Sequence, residues 1–362
     1  MTITKLSRSR LSFLPGHLLL RTLKTNVDYR DKVFSSSVII STNDNIYQNL
    51  ALEDWLYTGY GKLKQSTNWY HLLLWFNQPC VVIGRHQNPW NEIHVNQCSK
   101  LNLPIARRNS GGGTVVHDLG NLNLCFLSDK KSYNRQQNNQ LIIRTLDKYY
   151  GIKCEISSRE NLITSNGGFK VSGTASKLSS TSAYHHCTLM VNVDLSLMVK
   201  VTKTDCPLIE NKATPSVHAS VENLSSLNST INMDNLIGNI STEFINEFGD
   251  HGIIHVNPDE KQFDSIGEIY DNLIDWKWIF GKTPKFEVKG QSIDGISCKL
   301  TVNHGIIDNV ETVPPMNFSL LEGIRFVKED VVSQFICNET NSESNYSAAK
   351  SLIIELIDQV YS

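Results

Sequence analysis

The chain has 362 residues, enough for one large domain or two ordinary ones. With 40% hydrophobic and 19% charged residues it has the balance of a globular protein, not of a disordered or membrane-embedded one. A formal net charge of −2 argues against a general nucleic-acid binder, and no run approaches the roughly 18 apolar residues of a membrane span.

The charge is unevenly spread. Residues 1–32 hold seven Lys/Arg and two Asp, leaving 27 of the 34 basic and 34 of the 36 acidic residues to 33–362. No acidic residue precedes Asp28, and Lys5, Arg8, Arg10, Arg21 and Lys24 lie among Ser, Thr and Leu. That composition suits a mitochondrial transit peptide over 1–32 and a matrix protein. A secretory signal needs a longer apolar core than Leu18–Leu20, which Pro15-Gly16 and Arg21 confine. A basic tail without an address is the alternative.

Residues 45–57 predict a helix, with Asn43, Asp44 or Asn45 as its cap. Residues 72–76 and 81–83 read as two strands of a hairpin turning at Asn77-Gln78-Pro79. Residues 103–107 read as a further strand, and Leu122, Leu124 and Phe126 alternate with polar residues as in a half-buried one. Ile142, Leu146, Tyr149 and Tyr150 make a helical stripe that Gly151 stops. Strands follow at about 152–156, 161–164, 169–172 and 184–193. The polar stretch 203–232 reads as a loop, Trp276 opens a new unit, and residues 346–361 form a last helix. Mixed, mostly hairpin-linked elements favour α+β with mixed sheets over a doubly wound parallel sheet. The eight cysteines form no C-x-x-C pair or zinc spacing and read as packed free thiols, so no metal site is expected.

Three familiar motifs fail. Gly281-Lys282-Thr283 lacks the earlier glycine of a phosphate-binding P-loop, where Trp276 stands. Gly111 and Gly113 start a dinucleotide fingerprint that ends on Val116 instead of glycine. His251 and His255 have zinc-protease spacing, but Gly252 replaces the glutamate.

The densest chemical signal is Arg107-Arg108-Asn109-Ser110-Gly111-Gly112-Gly113, followed by His117-Asp118 and Gly120-Asn121. Three glycines let backbone N–H groups approach an anion, and two arginines supply forked donors suited to phosphate. A second signal is Lys170-Val171-Ser172-Gly173-Thr174-Ala175. If Val171 faces the core, Lys170 faces the other way, where an ammonium could hold the oxygens of an activated ester. Gly173 and Ala175 are small enough for a ligand to lie against the backbone. The third is His185-His186-Cys187-Thr188, in which His186 and Thr188 share one strand face and His185 and Cys187 the other.

Together these segments resemble the lipoate–protein ligase and lipoyltransferase family. The resemblance takes in Asn49-Leu50-Ala51-Leu52-Glu53, Trp75-Phe76-Asn77-Gln78-Pro79, Val82-Ile83-Gly84-Arg85 and Gln87-Asn88, besides the three signals above. It is strong over about 40–195 and extends to Trp276–Phe286. The leader and the stretch Phe169–Lys177 are most similar to the animal mitochondrial lipoyltransferases of that family.

The resemblance implies a biotin/lipoate-ligase-like catalytic domain over 33–262 and a small C-terminal α/β domain over 263–362. It implies transfer of a lipoyl group from lipoyl-AMP to a lysine ε-amine, releasing AMP. The acceptors would be lipoyl domains of 2-oxoacid dehydrogenase E2 subunits and the glycine-cleavage H protein, and the enzyme a monomer. Lys170 matches the family's catalytic lysine. Arg107, Arg108, Ser110, Gly111, Gly112, Gly113, Val116, His117, Asp118, Asn121, Arg159, Ser172, Gly173, Ala175, His186 and Thr188 match positions around lipoyl-AMP. Gly84, Arg85 and His185 are placed at the acyl pocket. Position 116 is often aromatic in the family and here is Val116. Magnesium is expected only if an ATP-dependent activation step is retained. A full ligase, a protein-to-protein lipoyl or octanoyl relay, and a non-enzymatic docking module remain as alternatives, and no general base is identified.

Overall fold

A computed structural model describes residues 30–62, 69–203, 206–259, 263, 265–291, 295–338 and 344–362. The expected leader, up to residue 29, lies outside the described residues. Val33 and Phe34 are already buried in the first core.

The chain lays down β1 (Val38–Ser41), β2 (Tyr70–Trp75), β3 (Cys80–Ile83), β4 (Ile105–Arg107), β5 (Val115–His117) and β6 (Asn121–Asp129). It continues with β7 (Cys154–Ile156), β8 (Leu162–Thr164), β9 (Thr174–Leu178), β10 (Ser182–Met190), β11 (Ile209–Asn211) and β12 (Ile253–Val256). It ends with β13 (Phe286–Gln291), β14 (Ser297–Asn303) and β15 (Ile306–Val313). The central sheet has six strands in the order β12-β1-β2-β6-β10-β9, and β1 runs parallel to both its neighbours. The other pairings in it are antiparallel. A three-stranded sheet β4-β3-β5 carries the glycine-rich segment between β4 and β5. The fold is mixed α/β, as the pattern of elements predicts.

Sequence alternation assigns the two faces of the central sheet. On β6, Leu122, Leu124 and Phe126 join Cys187 and Leu189 of β10 in a core under the helices Arg135–Tyr150 and Met233–Phe248. Cys125, Leu127 and Tyr184 face the opposite side, against the helix Ile46–Lys62. Asn45 caps that helix through the N–H groups of Tyr47 and Gln48. Gly151 ends the Arg135–Tyr150 helix in the left-handed region with φ 64°.

Three expectations change. The predicted hairpin is not one: β2 pairs with β1 and β6, whereas β3 pairs with β4 and β5. The connecting residues are held by the first helix and its approach, since Asn49 Nδ2 donates to the Phe76 carbonyl and Gln78 N–H to the Asp44 carbonyl. Residues 169–172 form isolated bridges at Lys170, to Ile163 and Val221, instead of a strand. The third concerns the surroundings of Trp276: Phe263, Ile266, Leu273, Trp278 and Ile279 pack in the first core, whereas Trp276 itself lies against Gly305 and Arg325. In the other direction β11 joins β13, β14 and β15 in a four-stranded sheet, and Cys206 and Ile209 enter the second core. The two cores therefore do not divide at 262/263.

Cys80, Cys98, Cys125, Cys154, Cys187 and Cys298 are buried free thiols, and Cys337 is exposed. Among the described residues no helix is long and apolar enough to cross a membrane.

Candidate active site

A cavity of about 330 Å³ opens between β9 and β10 of the central sheet and the β3–β5 edge of the small one. Its walls bring together Arg108, Gly112, Gly113, His117, Arg159, Lys170, Gly173, Ala175, His186 and Thr188. These come from the three sequence signals and, with Arg159, from the turn between β7 and β8. The strand alternation read from the sequence holds on β10. His186 and Thr188 face the cavity, while His185 lies on the other side, stacked on Phe126 at 5.9 Å.

Lys170 sits where its backbone is fixed at both ends. Its N–H donates to the Ser220 carbonyl at 2.8 Å, and its carbonyl accepts from Glu222 N–H at 3.1 Å. Val171 is fully buried and Lys170 lines the cavity, although no strand forms at 169–172 to impose the alternation. An added Cβ on Gly173 would stand 3.8 Å from Lys170 Nζ and 3.4 Å from Thr188 Oγ1. Gly173 thus keeps open the space directly before the ammonium. Burial, followed by Arg108 and Arg159, lowers the Lys170 pKa.

The glycine loop owes its shape to Arg108. The buried guanidinium donates to the Gly111 carbonyl at 2.6 Å, Gly113 at 2.8 Å and Val82 at 3.2 Å. Burial pulls its pKa down to about 10. Gly112 has φ +87°, which strongly favours glycine. Gly84 packs so closely beneath it that a Cβ would meet the Gly112 oxygen at 2.0 Å. Among the described residues Arg135 pairs with Glu160 at 2.8 Å, whereas Arg108, Arg159 and Lys170 pair with no carboxylate. The cavity therefore holds three cationic groups that no carboxylate contacts directly, although Glu53 acts on Arg108 from farther off.

Several expected site residues stand elsewhere. Arg107 is fully buried and spends its guanidinium on the carbonyls of Trp278, Ile279, Gly84, Arg85 and Gln87 and on Thr283 Oγ1. It is a structural brace. Val116 turns away from Val115 and His117, by the two-residue period of β5, and enters the second core. Asp118 holds a turn, accepting from Gly120 N–H and Asp194 N–H. Ser172 bonds the Gly173 carbonyl, and Ser110, Gly111 and Asn121 lie outside the cavity wall. Arg85 stacks on Trp278, its guanidinium carbon 4.2 Å from the ring centre, and Gly84 supports the loop from below. His185 bonds Thr174 Oγ1 at 2.6 Å from behind the wall.

Val82, Thr114, Val115 and Thr174 also line the wall, within or beside the segments singled out above, whereas Arg135, Asn161 and, from the 214–219 stretch, Thr214, Pro215, Ser216, Val217 and Ala219 escaped sequence reasoning. Arg135 could have been found, because Asn134 marks a helix cap immediately before it. The 214–219 run carried no local signal. It lies in the stretch read as a polar loop and is tied down by Ser216. Thr114 N–H donates to Ser216 Oγ at 2.9 Å, and Ser216 N–H donates to Glu92 Oε2 at 3.1 Å. Gln87 Nε2 joins both partners, at 2.8 and 3.0 Å.

Comparison with known proteins identifies the family. A family model described as the lipoyl protein ligase A/B catalytic domain matches residues 45–245. The chain is 38% identical over 263 residues to the mitochondrial lipoyl amidotransferase LIPT1 of Homo sapiens, covering 72% of this chain and 69% of that protein. It is 35% identical over 256 residues to lipoate-protein ligase A of Bdellovibrio bacteriovorus, covering 70% and 74%. Among solved structures it resembles P. falciparum LipL1 in complex with lipoate, with a TM-score of 0.59 and 27% identity over 88% of this chain and 99% of the other.

Proposed function

The chain belongs to the lipoyl protein ligase A/B catalytic family and is an acyltransferase that joins lipoyl groups to proteins, and from that premise we propose that its donor is lipoyl-AMP and its acceptor the ε-amine of a lysine on a lipoyl domain. The observation that carries this reading is the half-buried Lys170 ammonium sharing one cavity with Arg108 and Arg159, none of them paired with a carboxylate. A phosphate is the counter-charge that such a site accepts.

The chemistry follows from the residues. An acyl phosphate is already activated, so the amine attacks the acyl carbon, the acyl–phosphate bond breaks, AMP leaves and the amine gives up a proton. Lys170 stabilises charge developing on the carbonyl oxygen and on the departing phosphate. The glycine loop, held in shape by Arg108, lets backbone lie against the donor. Burial in a cavity also raises the effective concentration of the two reactants. The acceptors are E2 lipoyl domains and the glycine-cleavage H protein, and the working location is the mitochondrial matrix. A mitochondrial relative at 38% identity and the basic leader support the location.

Single-turnover mixing of the purified protein with lipoyl-AMP and an apo lipoyl domain tests the reading. The expected result is one lipoyl mass increment on the acceptor with release of AMP. No transfer from lipoyl-AMP, together with transfer from a lipoylated H protein in the absence of nucleotide, would replace it by the relay. Transfer from lipoate with Mg-ATP would add the activation step.

A further inference from the structure

Two buried asparagines determine where the proton of His117 lies. Asn49 Nδ2 donates to the backbone carbonyls of Asn43 at 2.8 Å and Phe76 at 3.2 Å. Carbonyls only accept, so the orientation of this amide is set. The same nitrogen reaches Asn77 Oδ1 at 2.9 Å, and Ser41 donates to Asn49 Oδ1 at 2.6 Å. Asn49 Nδ2 shares its two hydrogens among these three acceptors, and a second amide nitrogen at 2.9 Å would oppose it donor to donor, so Asn77 turns its oxygen to Asn49 and its Nδ2 lies 3.0 Å from His117 Nδ1. An amide nitrogen only donates, so Nδ1 accepts and the ring proton is on Nε2. His117 is 1% exposed and lines the cavity, and its Nε2 is buried with no hydrogen-bond partner among the described residues. Burial first, then His186 and Arg108, lower its pKa to about 3, which keeps the ring neutral.

We propose that His117 Nε2–H donates a hydrogen bond to an acceptor atom of the acyl donor, and that Asn77, oriented by Asn49, is a positioning residue that selects this tautomer. The ligand's identity rests on the function proposed above; the tautomer does not. A nitrogen that carries the proton cannot take one, so His117 is excluded as the base for the incoming amine, and its part in the reaction is to orient the donor.

Nitrogen-15 labelling of histidine separates the two questions. In the free protein near pH 7, with the His117→Gln spectrum as assignment, His117 should show a protonated Nε2 and an unprotonated Nδ1. Asn77→Asp keeps an acceptor for Asn49 but offers His117 Nδ1 an acceptor as well. It should move the proton to Nδ1 or charge the ring, and weaken binding of a non-hydrolysable lipoyl-AMP analogue about tenfold. His117→Gln, which retains an amide donor near Nε2, should bind the analogue within about threefold of wild type, and on that background Asn77→Asp should cost little. If Asn77→Asp fails to fold, His117→Leu against His117→Gln carries the test, with about tenfold weaker binding expected for leucine alone. The proposal is overturned if wild-type His117 carries its proton on Nδ1, if Asn77→Asp moves the proton without changing affinity, or if glutamine and leucine lose affinity equally. A wild-type protein with the stated tautomer that binds no acyl adenylate would overturn the proposed donor and leave the tautomer standing.

Discussion

The same residue types behave in opposite ways on the two sides of the central sheet. On the helical side, Lys148 meets Glu243 at 2.7 Å, Lys153 meets Asp147 at 2.6 Å and Arg144 pairs with Glu247, all at the surface. Such pairs are hydrated, screened by salt and contribute little. On the cavity side Lys170 and Arg108, with the exposed Arg159 beside them, form no ion pair with a carboxylate among the described residues, and burial lowers the pKa of Lys170 and Arg108, an effect that Glu53 opposes in part at Arg108. Charge held out of water without a partner is costly unless something binds to it. The difference separates charge that keeps a surface wet from charge that awaits a ligand.

The contrast can be broken most severely at Lys170. Lys170→Ala should lower single-turnover transfer from lipoyl-AMP about 10³-fold while leaving the thermal midpoint near that of wild type. Wild-type-like transfer by the folded variant would sink the assignment. Arg159 is exposed at the tip of the β7–β8 turn, so Arg159→Ala should weaken donor binding only about tenfold, measured by calorimetry with the non-hydrolysable analogue.

Protons probe the same contrast through the buried histidines. Burial first lowers His71 to about 4 and His117 and His185 to about 3, all below the ordinary 6.5. The Ser36 carbonyl partly opposes this at His71, while neighbouring positive groups reinforce it at the other two. The unfolded chain therefore takes up these protons first. Their contribution is present above about pH 6.5 and is lost as pH falls toward 4 and 3, by up to about 1.4 kcal/mol per histidine per pH unit. Denaturant titrations from about pH 7 down to 5 should show the midpoint falling. The smallest effect belongs to the helical side: Lys148→Ala should leave turnover unchanged to within about a factor of two. A large loss there would erase the distinction between the two faces.

What was legible in the sequence was local. The two-residue period of 185–188 puts His186 and Thr188 in the wall, and Lys170 lines it beside buried Val171. The Gly151 stop and the Asn45 cap are where short-range chemistry puts them. Contacts across the chain were not legible. Arg107 and Arg108 are equivalent as letters, and partners more than 170 positions away make the first a brace. Ser216 enters the wall through Glu92, 124 positions earlier, and no nearby residue announces it. The apparent β2–β3 hairpin failed because the helix beginning at Ile46 takes up the polar groups of the connection.

The Arg107 brace bears on where the chain can be cut. Its guanidinium gathers carbonyls from Gly84–Gln87 on one side and from Trp278 and Ile279 on the other, and Trp278 Nε1 returns a bond to the Arg107 carbonyl at 2.7 Å. A fragment ending at residue 262 would keep the whole cavity wall yet strand a buried cation directly behind the glycine loop, a loss of about 3–5 kcal/mol. A transferable catalytic piece therefore has to extend at least through Thr283, and a graft or split protein designed on the apparent boundary would carry every wall residue and still lack the lock behind them.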